Sequence, residues 1–377
     1  MTAGWRVPFV RPDVPAYAEL SGAIERAVSS GMLTKGPELA ALEAEAAALI
    51  GVRHVVGVSS CTIGVALVLK AFLREARPDR TEIILPSFNF LAAPGAVVWA
   101  GFRPVFVEVD PHTFTIDPAA AAAAVTPETA AIMACHTFGC PCDMPALEAV
   151  AARAGVPLLV DAAHGLGTQV RGRQVGSGGL AQIFSLSPTK LVVAGEGGLV
   201  ATDDASLAEA VRVAREYGND GHYGCAVAGL NGRLPELSAI LARASLARLP
   251  EVAARRRAAA EAYVAELADL PGIGLQLIPP GATSSWKDFV LTIDAERFGE
   301  SRDAVRRRLA DAGVDTRAYY DPPCHQMEAF RGFADPGSRL PTTDHLAAAV
   351  LALPIGAHVT PDAARSVARL IRDRHIP

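Results

Sequence analysis

The chain has 377 residues, of which 50% are hydrophobic and 20% are charged, and its formal net charge is −5. This composition excludes a disordered chain, and the mild acidity argues against a nucleic-acid partner, because nucleic-acid binders carry basic patches. The length exceeds the roughly 250 to 300 residues at which a single core stops growing, so we expect two domains.

Short β-branched runs alternate with Ala- and Leu-rich segments of helical spacing between residues 38 and 217. This alternation is typical of a mainly parallel sheet with crossover helices, which places the chain in the α/β class. The predicted helices are 38–51, 65–73, 118–125 and 205–218. The predicted strands are 54–58, 82–86, 104–109, 130–135, 157–163, 182–187 and 197–204.

The alternation of strands and helices gives way to a long helical segment, 236–267, which we interpret as a connector between two domains. A predicted strand region at 286–294 and predicted helices near 301–313 and 361–373 follow it. These elements indicate a smaller C-terminal α/β domain. We therefore divide the chain into a large domain, 1–250, which carries an N-terminal arm, and a small domain, 251–377.

The N-terminal sequence lacks the apolar core of a signal peptide, and no apolar run reaches the roughly 18 residues that a membrane span needs. We expect a cytoplasmic protein without a membrane partner. The six cysteines include Cys140 and Cys142 but no second such pair, which fits neither a disulfide scaffold nor a zinc site. We expect reduced thiols and no bound metal.

Lysine is scarce, since only four of the 35 basic residues are lysines, namely Lys35, Lys70, Lys190 and Lys287. Lys190 follows the predicted strand 182–187 among small and apolar residues. Desolvation in such surroundings lowers the pKa of an amine and makes it a better nucleophile toward carbonyls. A solvated surface charge is the alternative for any single lysine. The context favours Lys190 over the other three.

Two other predicted strands end at residues that could bind a ligand, because open α/β sheets bind ligands beyond the carboxyl ends of their strands. Ser60, Cys61 and Thr62 open a helix whose free N–H groups favour an anion such as phosphate, although this feature, taken alone, is more typical of a capped helix without ligand. Asp161 ends an apolar run, where it either caps the next segment or pairs with a buried cationic ring. Neighbouring His164, taken alone, is typical of a structural histidine.

A phosphate site, an acid and a lysine at the strand ends of one sheet are what pyridoxal 5′-phosphate (PLP) requires. The lysine forms a Schiff base, the acid keeps the ring nitrogen protonated, and the helix end holds the phosphate. Each signal is weak alone, but together they predict a PLP enzyme.

With these residues in place, the sequence resembles the DegT/StrS-type sugar aminotransferases, which are fold type I PLP-dependent enzymes. The resemblance covers nearly the whole chain and keeps the order of the motifs. Those motifs are Val7-Pro8-Phe9, Thr34-Lys35-Gly36-Pro37, Ser60-Cys61-Thr62, Pro86-Ser87-Phe88-Asn89-Phe90, His136-Thr137-Phe138-Gly139, Asp161-Ala162-Ala163-His164, Phe184-Ser185 through Lys190, Gly195-Glu196-Gly197-Gly198, Gly229-Leu230-Asn231-Gly232-Arg233 and Leu353-Pro354.

The resemblance implies a large three-layer PLP-binding domain and roles for individual residues. Lys190 would hold the cofactor and shuttle a proton, and Asp161 would pair with the pyridine nitrogen. Asn231 would reach the cofactor phosphate of the neighbouring subunit in a homodimer with shared active sites. The remaining implied cofactor contacts are Ser60, Cys61, Thr62, Phe90, His164 and Ser185. Candidate substrate contacts are Phe9, His222, Tyr319 and Tyr320.

The sequence departs from the family pattern at three places. His164 stands where Gln is usual, so its contact with the ring hydroxyl is an expectation only. Cys61 replaces a commoner Gly, a variant that resembles some enzymes aminating C4 of a 4-keto-6-deoxy sugar nucleotide. The segment 186–188 lacks the usual aromatic residue, so one pocket wall is expected to differ.

The implied reaction moves an amino group from L-glutamate to a nucleotide-linked keto sugar, with a dTDP-4-keto-6-deoxyhexose as the favoured acceptor, in amino-sugar or antibiotic biosynthesis. A 3-keto sugar nucleotide and a cyclitol ketone of the scyllo-inosose type remain alternatives. A regulatory homologue without activity is a further alternative, which Lys190 and Asp161 disfavour. A keto-sugar dehydratase is disfavoured because such relatives have His at the position of Lys190.

Overall fold

The computed structural model describes residues 5–219, 221–222, 224–334 and 339–373. Its largest sheet has seven strands: β1 (His54–Val58), β2 (Glu82–Pro86), β3 (Arg103–Val107), β4 (Thr129–Cys135), β5 (Leu158–Asp161), β8 (Ala181–Ser185) and β9 (Gly198–Thr202). The strand order is β1-β9-β8-β5-β4-β2-β3, and β9 alone runs antiparallel to its neighbours. The predicted mainly parallel sheet is confirmed, and the carboxyl ends of six strands meet at one edge.

Helices cover both faces of this sheet and alternate with the strands along the chain. They are α1 (Tyr17–Ser30), α2 (Pro37–Ile50), α3 (Cys61–Leu67), α4 (Arg74–Ala76), α5 (Ala92–Trp99), α6 (Pro118–Ala123), α7 (Met144–Ala154), α8 (Ala205–Ala214) and α9 (Glu236–Ala247). A π-helical turn, Val68–Leu73, joins α3 to α4.

Strand side chains alternate between two hydrophobic cores, as a period of two requires. In β8, for example, Ile183 belongs to the core that contains α3, α5 and α8, and Phe184 belongs to the core that contains α2, α7 and α9. The sheet is therefore buried on both faces, which explains why its strands are nearly continuous apolar runs.

The predicted helical segment 236–267 consists of two helices. Helix α9 ends at Ala247, and α10 (Leu249–Leu267) begins beside Pro250. Proline has no N–H to donate to the preceding turn, so it belongs in the first turn of a new helix. This break falls near the predicted domain boundary at residue 250, and the division there stays a prediction.

The C-terminal part of the chain forms a second sheet from β10 (Ile273–Leu275), β12 (Phe289–Ile293) and β13 (Val350–Leu353). Its remaining helices are α11 (Ala295–Phe298), α12 (Arg302–Asp311), α13 (Pro341–Ala349) and α14 (Pro361–Arg372). The short strands β6 (Gln169–Val170), β7 (Arg173–Gln174) and β11 (Ala282–Thr283) form a third sheet that links the two parts.

The N-terminal segment contacts the C-terminal part. The Val7 N–H donates to the Gly313 carbonyl at 3.0 Å, and the Asp315 N–H donates to the Val7 carbonyl at 3.0 Å. Phe9 is thereby held near the carboxyl edge of the large sheet. Every helix in the part of the chain that the structure describes is too short or too polar to span a membrane.

Candidate active site

A cavity of about 430 Å³ lies at the carboxyl edge of the large sheet, between that sheet and the C-terminal part of the chain. Eleven of the thirteen predicted site residues line it: Phe9, Ser60, Cys61, Thr62, Phe90, Asp161, His164, Ser185, Lys190, Tyr319 and Tyr320. A larger cavity of about 710 Å³, beside α1, α2, α9 and α10, contains none of them.

The turn from β1 into α3 presents unpaired backbone donors to this cavity. The Ser60 hydroxyl accepts from the Ile63 N–H at 3.2 Å, which caps the helix. The N–H groups of Cys61 and Thr62 have no acceptor among the described residues. A side-chain carbon on Gly198 would lie 2.6 Å from the Cys61 nitrogen, so only glycine allows β9 to approach this turn. The arrangement suits a phosphate.

Asp161, at the end of β5, is buried, and only one of its two carboxylate oxygens contacts other described residues of the protein. Its Oδ1 accepts from the Ala163 N–H at 2.9 Å and lies 3.9 Å from the Cys61 sulfur. Its Oδ2 has no hydrogen-bond partner among the described residues. Burial raises the pKa of Asp161, although the Ala163 N–H and the Lys190 charge oppose that shift. A buried carboxylate with a free oxygen calls for a cationic partner.

Lys190 follows β8 and lines the same cavity as Asp161. Burial, and after it the Lys287 charge, lowers the pKa of Lys190 to about 8, although Asp288 and Asp161 oppose the shift. Lys190 forms no ion pair within 4 Å in the described part of the chain. An amine of this kind is a nucleophile near neutral pH.

His164 is buried and neutral at the edge of the cavity. Its Nδ1 accepts from the Phe138 N–H at 3.1 Å, which places the ring proton on Nε2. Burial lowers the pKa of His164 well below its usual range, and the Lys190 charge acts in the same direction. The Nε2–H group is therefore a donor without charge.

Aromatic side chains form the wall opposite the sheet. Tyr320 stacks on Phe138 with ring centroids 5.2 Å apart, and Phe90 lies 6.4 Å from Tyr320. Phe90 is 49% exposed, so its face is available to a flat ligand. Phe9 and Tyr319 meet edge to face at 5.7 Å.

Two predicted residues lie outside the cavity of their own chain. Asn231 is exposed, and its side-chain oxygen accepts from the Arg233 Nε–H at 3.0 Å. His222 is exposed and does not line the cavity. Its neighbours Asp220 and Tyr223 lie outside the described residues.

The sequence did not indicate Lys287 and Asp288 as site residues, yet both line the cavity. The Lys287 ammonium lies 2.8 Å from Asp288 Oδ1 and 3.0 Å from Oδ2. The adjacent opposite charges just before a strand were a weak signal, because only the folding of the C-terminal part over the sheet brings them to Lys190.

The residues present fit PLP. The free N–H groups at Cys61 and Thr62 match its phosphate, the free oxygen of Asp161 matches a protonated ring nitrogen, and the Lys190 amine matches its aldehyde. The His164 Nε2–H matches a ring hydroxyl. The fold and this site define a PLP-dependent enzyme of fold type I.

The chain belongs to the DegT/DnrJ/EryC1/StrS aminotransferase family, whose sequence profile matches residues 16–372. The erythromycin biosynthesis sensory transduction protein EryC1 of Saccharopolyspora erythraea is 41% identical over 366 residues, which cover 96% of this chain and 97% of that protein. The dTDP-3-amino-3,4,6-trideoxy-α-D-glucose transaminase of Streptomyces venezuelae is 39% identical over 374 residues, which cover 98% of this chain and 96% of that enzyme.

Solved structures agree with this assignment. The crystal structure of DesI in the presence of its TDP-sugar product is 40% identical in sequence and superposes with a TM-score of 0.90. The match covers 98% of this chain and 93% of that one. The predicted family, fold, cofactor and transaminase activity are thus confirmed, and the roles of individual residues stay predictions.

Proposed function

We propose that this aminotransferase moves an amino group from L-glutamate to a nucleotide-linked keto sugar, with a dTDP-4-keto-6-deoxyhexose as the acceptor. The observation that carries the proposal is the similarity, over nearly the whole chain, to a transaminase and a solved structure that are both described by a TDP-linked sugar. The cavity supports it, since it brings Lys190 and Asp161 together with the aromatic side chains of Phe9, Phe90, Tyr319 and Tyr320.

PLP, when bound, supplies an electron sink for the negative charge that develops on the substrate carbon. The chain's own residues would do the rest. The Lys190 Nζ would hold the cofactor and, once the amino substrate has displaced it, would take the proton from the substrate carbon. Asp161 Oδ2 would keep the ring nitrogen protonated, and Cys61, Thr62 and Ser185 would fix the phosphate.

In the second half of the reaction, the Lys190 ammonium would return a proton to the acceptor side. A single lysine thus acts as base and as acid, which requires an amine with a pKa near the working pH. The pKa of about 8 at Lys190 meets this requirement. The surrounding apolar wall would limit proton exchange with water.

Phe9, Tyr319 and Arg317 are proposed to line the sugar-nucleotide side. The guanidinium of Arg317 lies 5.2 Å from the centroid of the Phe9 ring, which packs against Tyr319. Phe9 and Tyr319 line the cavity, and Arg317 adjoins it through its contact with the Phe9 ring. His222 is kept as a candidate only for a partner's site, because it lies outside the cavity of its own chain.

We also propose a homodimer in which Asn231 contacts the cofactor phosphate of the partner. Asn231 is exposed, stands apart from its own cavity and is oriented by Arg233. Such an exposed and oriented amide suits a contact across a two-fold interface.

A 3-keto sugar nucleotide is a second candidate acceptor, because the similar transaminase from S. venezuelae is named for an amino group at C3 of its sugar. The name of EryC1 describes a sensory transduction protein, so a regulatory role is an alternative for this chain. The joint presence of Lys190 and Asp161 in one cavity supports catalysis instead.

An acceptor panel tests the proposal. The PLP-loaded protein should lose its visible absorbance when L-glutamate is added and should regain it with the correct ketone. The panel contains dTDP-linked 4-keto and 3-keto sugars, a UDP-linked 3-keto sugar and scyllo-inosose. Recovery with the 4-keto sugar is the expected result, and recovery only with another ketone would replace the proposed acceptor. A Lys190→Ala protein with full turnover would overturn the mechanism.

A further inference from the structure

Lys287 and Asp288 form a buried ion pair on the wall of the active-site cavity. Their side chains are 5% and 3% exposed, and two contacts of 2.8 and 3.0 Å join them. Burying two charges costs about as much as their attraction returns, so such a pair is weak evidence for a role in stability. Its position beside Lys190 points to a role in the site.

Contacts on two sides fix the segment that carries this pair. The Arg256 Nη1 group of α10 donates to the carbonyls of Trp286 and Lys287 at 2.9 and 3.0 Å. The Ser285 hydroxyl donates to the His164 carbonyl at 2.7 Å. Since His164 follows Asp161 closely in the chain, the segment is joined directly to the cofactor-facing edge of the sheet. Lys287 is therefore held in place.

Lys287 and Lys190 share a second, nearly filled space behind the main cavity. This space has a volume of about 10 Å³ and is lined by Ala163, His164, Leu166, Ser185, Lys190, Leu191 and Lys287. Two ammonium groups repel each other strongly in surroundings of low polarity. Lys287 has a carboxylate at hydrogen-bond distance, whereas Lys190 has none within 4 Å among the described residues. Lys190 is consequently the amine that gives up its proton.

We propose that Lys287 is a positioning residue, whose ammonium group, held by Asp288, keeps the Lys190 amine neutral and nucleophilic. The inference rests on the proposed function of Lys190. The other titratable groups that line the cavity with Lys190 are Cys61, Cys135, Asp161, His164, Glu196, Lys287, Asp288, Tyr319 and Tyr320. Of these, His164 is neutral and Asp161 would be engaged by the cofactor.

The electrostatics of the site agree with this role. After burial, the Lys287 charge is the largest cause that lowers the pKa of Lys190 to about 8. At pH 7, about a tenth of an amine with that pKa is neutral, against fewer than about one in a thousand for an ordinary lysine. A carboxylate alone beside Lys190 would have the opposite effect.

Trace acetylation of the full-length, cofactor-free protein tests the inference without measuring turnover. Lysine reactivity toward acetic anhydride is followed from pH 6 to 11 by peptide mass spectrometry, with the exposed Lys70 as the internal reference. The midpoint for Lys190 should lie near pH 8 in the wild type. It should rise by at least about one pH unit in Lys287→Met and in Lys287→Gln, because the neighbouring charge is lost.

Lys287→Arg tests whether the positive charge at position 287 matters rather than the shape of the side chain. It keeps the cation, so the midpoint for Lys190 acetylation should stay low. Circular dichroism confirms that each variant is folded before labelling. An unchanged midpoint in folded Lys287→Met or Lys287→Gln would overturn the inference, and so would a raised midpoint in folded Lys287→Arg. Failure of the proposed function would show separately, as turnover retained by Lys190→Ala.

Discussion

The Phe138 N–H donates a hydrogen bond to Nδ1 of His164 at 3.1 Å. This contact fixes which nitrogen of the buried imidazole carries its proton. Because burial also lowers the pKa of His164 well below its usual range, Nε2 is a neutral donor at every pH at which the enzyme is expected to work. A neutral donor at this position is chemically equivalent to the amide of a glutamine.

Two substitutions of His164 should therefore distinguish the effect of its hydrogen-bond donor from the effect of its side-chain volume. His164→Gln is expected to keep PLP affinity within about threefold, whereas His164→Leu should lose about tenfold, since the loss of a hydrogen bond that contributes about 1.4 kcal/mol is a factor of ten. PLP titration of the apoprotein, followed by absorbance, measures both. Equal losses in the two variants would contradict the assignment of Nε2 as a donor.

Asp161→Asn should reduce kcat by about 100- to 1000-fold, because the amide cannot stabilise the positive charge on the ring nitrogen. The substitution is nearly isosteric, and the amide oxygen can still accept from the Ala163 N–H. PLP binding is therefore expected to change much less than kcat. Steady-state turnover and PLP titration on the same preparation check this, and a parallel loss in both would indicate a structural role instead.

The sheet and its ligand edge could be predicted from the sequence because they are local. Each strand is a short apolar run, and Asp161 and Lys190 follow such runs directly. The break between α9 and α10 was missed because helical periodicity continues across Pro250. Lys287 was missed for a different reason, since its approach to Lys190 depends on how the C-terminal part packs over the sheet. Sequence spacing carries no such information.

The pKa of Lys190 predicts the pH dependence of cofactor loading. Only the neutral amine attacks an aldehyde, so the rate should rise about tenfold per pH unit below pH 8 and level off above it. Rapid mixing of apoprotein with PLP, followed by visible absorbance, gives this profile. A rate that still rises tenfold between pH 9 and 10 would show that the amine has an ordinary pKa.

Glu236 should be important for stability, because its buried carboxylate caps α2. It accepts from the N–H groups of Gly36 and Leu39 through Oε1 and of Glu38 through Oε2, at 2.9, 3.0 and 2.9 Å. Glu236→Ala should lower the free energy of unfolding by about 2–4 kcal/mol, measured by urea denaturation. The exposed Glu261 provides the matched control, since Glu261→Ala should change it by less than about 0.5 kcal/mol.

The proposed shared active site predicts complementation between two inactive variants. Lys190→Ala removes the amine from one site, and Asn231→Asp places a carboxylate against the phosphate of the partner's cofactor. In a mixed dimer, one site carries both changes and the other carries neither. Unfolding and refolding an equal mixture should therefore restore about a quarter of the wild-type activity, because half of the dimers are mixed and each has one intact site. If Asn231 instead served the site of its own chain, both sites of the mixed dimer would be defective and activity would stay at the level of the unmixed variants.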